Sequence, residues 1–243
     1  MRSTRRTRPT HATRSAAVGA AAAAAILALV PAAAAQAAPT PARASASAAT
    51  TVSTVSPAYA ASTASTASAP GGNAAILGID YATWQRDVAS VIDAARPGIE
   101  QRIAASPAGE KPALVLDIDN TSLETDFHWF WTFPTPAISK VRALTQYAHE
   151  RGVAVFFVTA RPGIIHSLTE HNLRAVGYPI SGLYVRDLPD LFDEVSAYKT
   201  GKRAEIEARG YTIIANIGNS PTDLVGGHAE RTVKLPDYGG KLS

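Results

Sequence analysis

Asp117 and Asp119 straddle one isoleucine at the end of an apolar run, residues 113–116, and Thr159 closes a second run, residues 153–158. Gly218 and Asn219, with Asp223 four residues on, close a third run at 211–217, and Lys199 opens the helical stretch leading into it. Two carboxylates so close repel unless a cation lies between them, and a hard divalent ion with oxygen ligands, Mg²⁺ above all, is the natural partner. Such an ion would screen an aspartate for attack on an anionic phosphoryl group, a nucleophile's role that aspartate can fill. The second carboxylate could then protonate a leaving oxygen and later activate water. Thr159 and Lys199 would bind phosphoryl oxygens, the lysine adding positive charge where negative charge gathers. Arg161 has two open readings, a further phosphate ligand or the partner of an acid.

These residues need a scaffold that presents strand ends together. Short, continuously apolar runs suit strands buried on both faces of a parallel sheet, and ligands bind beyond the carboxyl ends of such strands. The spacing of Tyr81, Trp84, Val88, Val91 and Ala95 predicts a helix over 81–95, interrupted at Pro97-Gly98 and resuming for a turn or two to 105. Thr135-Pro136 reads as a helix start, with Gly152 as its end. Further helices are expected over about 163–176 and 197–209, and shorter strands over 182–186, 211–217 and 232–235. This alternation predicts an α/β fold with a mainly parallel sheet flanked by helices.

Four segments then resemble a known family. LVLDIDNTSLET (114–125) is similar to DxDxT, the first motif of the haloacid dehalogenase superfamily. FFVTARP (156–162) resembles its second motif, SAYKTGKR (196–203) its third, and NIGNSPTDL (216–224) its fourth, usually GDxxxD. The wording of the first motif and the size of the domain are similar to the secreted acid phosphatases, including the plant vegetative-storage-protein type. The resemblance covers about 75–235. It implies a Rossmann-like fold with a small cap insertion, Asp117 as nucleophile and Asp119 as general acid/base. It also implies Thr159 and Lys199 on the substrate phosphate, and Mg²⁺ held by Asp117, the Asp119 backbone carbonyl and the fourth-motif acid. The sequence departs at Asn219, which replaces the first acid of GDxxxD and brings no charge, so the metal ligands of that motif would be Asn219 and Asp223. The implied function is hydrolysis of a small phosphomonoester through an aspartyl-phosphate. The alternative is a phosphate-ligand-binding or storage protein on the same fold, its catalysis weakened by Asn219.

Phe127, His128, Trp129, Phe130, Trp131 and Phe133 crowd the segment where a cap insertion is expected, about 122–136. One reading is a wall that stacks the ring of a nucleotide or aryl phosphate. The other is a core for the cap, or packing against the helix at 81–95, since aromatic clusters are more often core. Asn120-Thr121-Ser122 matches a glycosylation pattern but lies inside the proposed catalytic loop, so it reads as a false positive. The histidines have no metal-ligand spacing.

Composition bounds the partners. The chain has 243 residues, no cysteine and a formal net charge of +3. Without cysteine there is no disulfide framework, thiol catalysis or thiolate metal site. Six arginines and no acid precede Asp80; the 23 Lys+Arg less these six leave 17 against all 20 Asp+Glu thereafter, a net charge of −3. The positive balance therefore belongs to the leading segment, and nucleic acid is not the expected partner. Residues 1–37 have the basic start, Ala-rich apolar run and Ala35-Gln36-Ala37 ending of a secretory signal, with cleavage expected after Ala37. The apolar run is shorter than the roughly 20 residues that span a bilayer, so no stable membrane anchor is expected after processing. Arg5-Arg6 is not followed by bulky apolar residues, which argues against twin-arginine export. From 38 to 72 the chain is almost wholly Ala, Ser, Thr, Pro and Gly, too poor in large apolar groups to fold, and reads as a linker. A single domain is expected over 73–243.

Overall fold

The computed structural model of the chain describes Gly72, Ala74 and residues 77–242. The leader expected at 1–37, and the linker expected at 38–72 apart from Gly72, lie outside the described residues.

Five strands form one sheet, β1 (Pro112–Leu116), β2 (Ala154–Pro162), β3 (Gly182–Arg186), β4 (Thr212–Gly218) and β5 (Thr232–Lys234). Their order is β3-β2-β1-β4-β5, and every adjacent pair is parallel. Among the described residues, five α-helices accompany them: α1 (Tyr81–Ala104), α2 (Ser139–His149), α3 (His166–Ala175), α4 (Val195–Ala208) and the single turn α5 (Pro221–Leu224).

Alternate residues of β1 point to opposite faces, and both faces are buried. Leu114 and Leu116 join a large core with Trp84, Val88, Ile92, Leu144 and Leu173 from α1, α2 and α3. Ala113 and Val115 join a smaller core with Tyr198 and Ile206 of α4. The sheet is thus sandwiched between α1–α3 on one side and α4 on the other, as the apolar runs predicted. Between Ala113 and Leu114 the pairing with β4 skips Ile214, so Ile214 and Ala215 both reach the larger core.

The helix at 81–95 does not stop at Pro97. One continuous helix, capped by Asp80 accepting from the Thr83 amide, carries Pro97 inside it. Ile99 and Ile103 extend the buried stripe of Trp84, Val88 and Ile92. Burying two such side chains is worth about 1.5–3 kcal/mol each, enough to offset the roughly 3 kcal/mol cost of an internal proline. Thr135-Pro136 does not start a helix either. The Pro136 carbonyl accepts from Glu124 N and Ile138 N donates to the Ser122 carbonyl, so this segment runs extended beside 122–124, and α2 begins at Ser139.

Candidate active site

The strand order reverses direction at β1: the chain steps outward to β2 and β3, then returns across the sheet to β4. The crevice outside the carboxyl ends of β1 and β4 is the place where such sheets bind ligands. A cleft of about 230 Å³ lies there, lined by Asp117, Asp119, Ala160, Lys199, Asn219 and Asp223 among others. A larger groove of about 300 Å³, at the opposite ends of the strands beside Pro112, Ala154 and Tyr211, holds none of these residues.

Asp117 follows β1 directly, its amide bonded to the Ile217 carbonyl of β4 at 3.0 Å. The next residues fold tightly around Ile118, whose carbonyl accepts from the amides of Ser122 and Leu123 at 2.8 and 2.9 Å. Asn120 takes the left-handed backbone conformation that this turn requires (φ 53°). It is fully buried, as a false glycosylation match should be. Across the crevice, Ser220 caps α5 reciprocally, accepting from that turn while Asp223 Oδ2 accepts from Ser220 N at 2.8 Å. Gly218 makes room for this, because a Cβ there would lie 2.3 Å from that of Asp223.

Lys199, from the first turn and a half of α4, sits between the two loops. Its ammonium donates to Asp117 Oδ1 at 2.6 Å and Asp223 Oδ1 at 2.5 Å, and all three side chains are at least nine-tenths buried. Burial pushes the Asp117 carboxyl up to about 7; Lys199 opposes this, while Asp223 and Asp119 add to it. Burial works against the Lys199 charge, but the two carboxylates overcome it and raise its pKa.

Asp119 points to a different partner. Arg161 donates to it twice, Nη2 to Oδ1 at 2.7 Å and Nε to Oδ2 at 3.0 Å, and Thr125 Oγ1 adds a bond at 2.8 Å. Arg161 Nη1 also donates to Thr169 on α3 at 3.3 Å. Arg161 is thus paired with an acid, as one of its two readings has it. Thr159 is fully buried and its hydroxyl accepts from Arg161 N at 3.2 Å. Its neighbour Ala160, not Thr159, lines the cleft. Asn219 Oδ1 accepts from Thr121 Oγ1 at 3.1 Å, and its Nδ2 donates to the Leu242 carbonyl at 3.1 Å.

Among the described residues, no three His, Cys, Asp or Glu side chains are grouped to hold a metal ion. The polar side chains lining the cleft nonetheless all offer oxygen apart from Lys199, with three carboxylates among them, of which Asp119 is held by Arg161 and Asp117 and Asp223 face each other across Lys199. Mg²⁺ is ordinarily bound through one or two carboxylates and keeps several waters, so this set fits a hard divalent ion.

The aromatic segment divides. Phe127 is buried and stacks on Trp84 of α1 at 4.0 Å between ring centroids, as the packing reading requires. Trp129, Phe130, Trp131 and Phe133 are exposed and form no core. Trp129 and Trp131 stack at 5.1 Å and 5°, and they line a cleft of about 250 Å³ with Phe130 and Thr125. The same Thr125 donates to Asp119, so one side chain links this cleft to the second carboxylate.

Sequence reasoning missed Thr125, which lies within the first motif segment, and the Ser220–Asp223 cap, which an S-x-x-D pattern would have signalled. It also missed the bond from Asn219 to Leu242, for which no local pattern exists. No described helix is long and apolar enough to cross a membrane.

Comparison with known proteins agrees with this architecture. A class C acid phosphatase from Bacillus anthracis superposes with a TM-score of 0.51 at 16% identity, covering 65% of this chain and 79% of that one. Its tungstate-bound form gives a TM-score of 0.50 with the same coverage. At that identity the likeness is one of fold. Two soybean (Glycine max) proteins, the stem 28 kDa and stem 31 kDa glycoproteins, are each 34% identical over 90 residues, 35% of this chain. The chain spans about a third of their length, 35% and 31%. Residues 40–241 match the family model of the HAD superfamily, subfamily IIIB (acid phosphatase). With its four motifs at the carboxyl ends of a parallel sheet, the chain belongs to that family.

Proposed function

We propose that this chain is an exported, Mg²⁺-dependent phosphomonoesterase working through an aspartyl-phosphate at Asp117. The observation that carries the reading is the buried Asp117–Lys199–Asp223 cluster at the point where the strand order reverses. Asp117 Oδ attacks phosphorus as the ester P–O bond breaks, and Asp119 gives its proton to the leaving oxygen. Asp119 then takes a proton from water, whose oxygen attacks phosphorus and releases Asp117 and inorganic phosphate. Lys199 places its donor beside the phosphoryl oxygens, and Arg161 with Thr125 keeps Asp119 on the leaving-group side. A divalent ion bound by Asp117, Asp223, the Asp119 backbone carbonyl and the Asn219 amide oxygen would offset the charge of the phosphoryl oxygens.

The stacked, exposed Trp129 and Trp131 beside Thr125 support an aryl or nucleotide ester as the leaving group's class. The basic, Ala-rich leader at 1–37 supports export, and 122–136 is assigned as the cap. Asn219, in place of a carboxylate, keeps the weakly catalytic phosphate-binding reading as the second candidate. A panel of phosphate esters, turned over with Mg²⁺ and again with chelator, separates the two. Metal-dependent turnover lost in Asp117→Asn, with circular dichroism unchanged, is expected. Wild-type turnover in Asp117→Asn would sink the nucleophile, and no turnover of any ester would leave the binding protein.

A further inference from the structure

Asn219 stands where the family pattern carries an acid, and its amide is committed at both ends. Oδ1 accepts from Thr121 Oγ1 at 3.1 Å and Nδ2 donates to the Leu242 carbonyl at 3.1 Å. Its own amide N–H donates to Thr121 Oγ1 at 3.0 Å. Asn219, Thr121 and Leu242 are all essentially buried, at 1%, 0% and 1% exposure. Three stretches of chain therefore meet at one side chain: the loop carrying Asp117 and Asp119, the loop carrying Asp223, and the C-terminal segment. That segment is held in turn by Leu235 N on the Gly218 carbonyl at 2.9 Å and by Leu242 N on the Asp237 carbonyl at 3.1 Å. Tyr238 OH reaches Asp87 of α1 at 2.6 Å.

A carboxylate has no donor. At position 219 it would set an acceptor against the Leu242 carbonyl and leave that carbonyl unsatisfied in a buried place. The amide is the side chain of this shape that can accept from Thr121 and donate to Leu242 at once.

We propose that the Asn219 amide, whose oxygen keeps a second lone pair for the ion, also ties the C-terminal segment to both catalytic loops and so sets the separation across which the divalent ion is held. On this view the family's acid is excluded here by Leu242, and restoring it does not repair the site. The tie stands on geometry; the ion that it positions rests on the reading under Proposed function.

Two measurements on the mature chain test this. In chelator, Asn219→Asp is expected to accelerate amide hydrogen exchange at Leu242 and across residues 237–242 by about tenfold, leaving the β1–β4 ladder unchanged. Unchanged exchange at Leu242 overturns the tie. In the second, Mn²⁺ binding to substrate-free protein is followed by electron paramagnetic resonance. A chain ending at Lys241, which lacks the Leu242 carbonyl, is expected to bind Mn²⁺ about tenfold more weakly, as loss of a ligand's supporting partner does. Leu242→Ala keeps the carbonyl and loses only packing, and should bind Mn²⁺ as wild type does. Wild-type affinity in the shortened chain, or equal weakening in Leu242→Ala, overturns the coupling. Should the wild type bind no Mn²⁺, the metal reading falls, and exchange at Leu242 alone decides the tie.

Discussion

Arg161 and Asp119 lie side by side, with the guanidinium edge donating to both carboxylate oxygens at 2.7 and 3.0 Å. The fork fixes the carboxylate's plane as well as its position. Replacing Arg161 by lysine, a point charge with no such edge, should cost about 10²-fold in kcat, the scale of misplacing a catalytic group by an ångström. The loss should be largest for alkyl phosphates, whose leaving oxygen needs the proton most, and smallest for nitrophenyl phosphate. Steady-state kinetics on both substrates checks this; an equal loss on both would place Arg161 on the phosphoryl group instead.

Lys199→Met removes the one cation between Asp117 and Asp223. Taking one partner from a buried charge cluster typically costs about 3–5 kcal/mol. Thermal denaturation in chelator should show that loss, and added Mg²⁺ should recover part of it, because a divalent ion can replace the missing charge. Recovery equal in Lys199→Met and Lys199→Met/Asp223→Asn would argue against an ion between these carboxylates.

Metal affinity should depend on pH with a definite sign. The Asp117 carboxyl, pushed up to about 7 by burial in the metal-free fold, holds a proton that a divalent ion must displace. Affinity is therefore full above about pH 7 and falls about tenfold per unit below it. The same shift makes the unfolded chain the weaker proton binder between about pH 4 and 7, so apo stability declines as pH rises through that window. Calorimetric Mg²⁺ titrations from pH 5 to 8 check the first part, and Asp117→Asn should flatten the slope.

The exposed aromatic pair and the buried ring before it should respond oppositely. Trp129→Ala/Trp131→Ala should raise KM for aryl and nucleotide esters by about tenfold or more, from stacking worth about 1–3 kcal/mol. It should leave KM for a small alkyl ester near wild type and stability within about 0.5 kcal/mol per site. Phe127→Ala, which opens a hole beneath Trp84, should cost about 3–5 kcal/mol of stability. Paired kinetics and denaturation distinguish these effects.

The sheet and the strand-end residues were legible because their signals are local. The run at 182–186 became β3 without adjustment, and alternation in β1 placed Leu114 and Val115 in different cores. Pro97 and Thr135-Pro136 misled for a shared reason: each is a punctuation mark whose effect depends on a partner far along the chain. Ile99 and Ile103 pull Pro97 into α1 by burial, and Glu124 claims the Pro136 carbonyl before a helix can start. Thr159 reads as a phosphate ligand from its strand-end place and its motif, yet it faces Arg161 N while Ala160 meets the cleft, an alternation that no motif encodes. The tie from Asn219 to Leu242 spans 23 residues and depends on a backbone carbonyl, which carries no side-chain identity to read.

The chain has three tryptophans, and the fold sends them to opposite surroundings. Trp84 is fully buried against Phe127, whereas Trp129 and Trp131 are 45% and 63% exposed. Intrinsic fluorescence therefore carries two separable signals. Blue-shifted emission, shielded from acrylamide, reports whether α1 is docked. Red-shifted, quencher-accessible emission reports what enters the cleft beside Thr125. Titrating a phosphate ester should dim the second and spare the first; heating should move both.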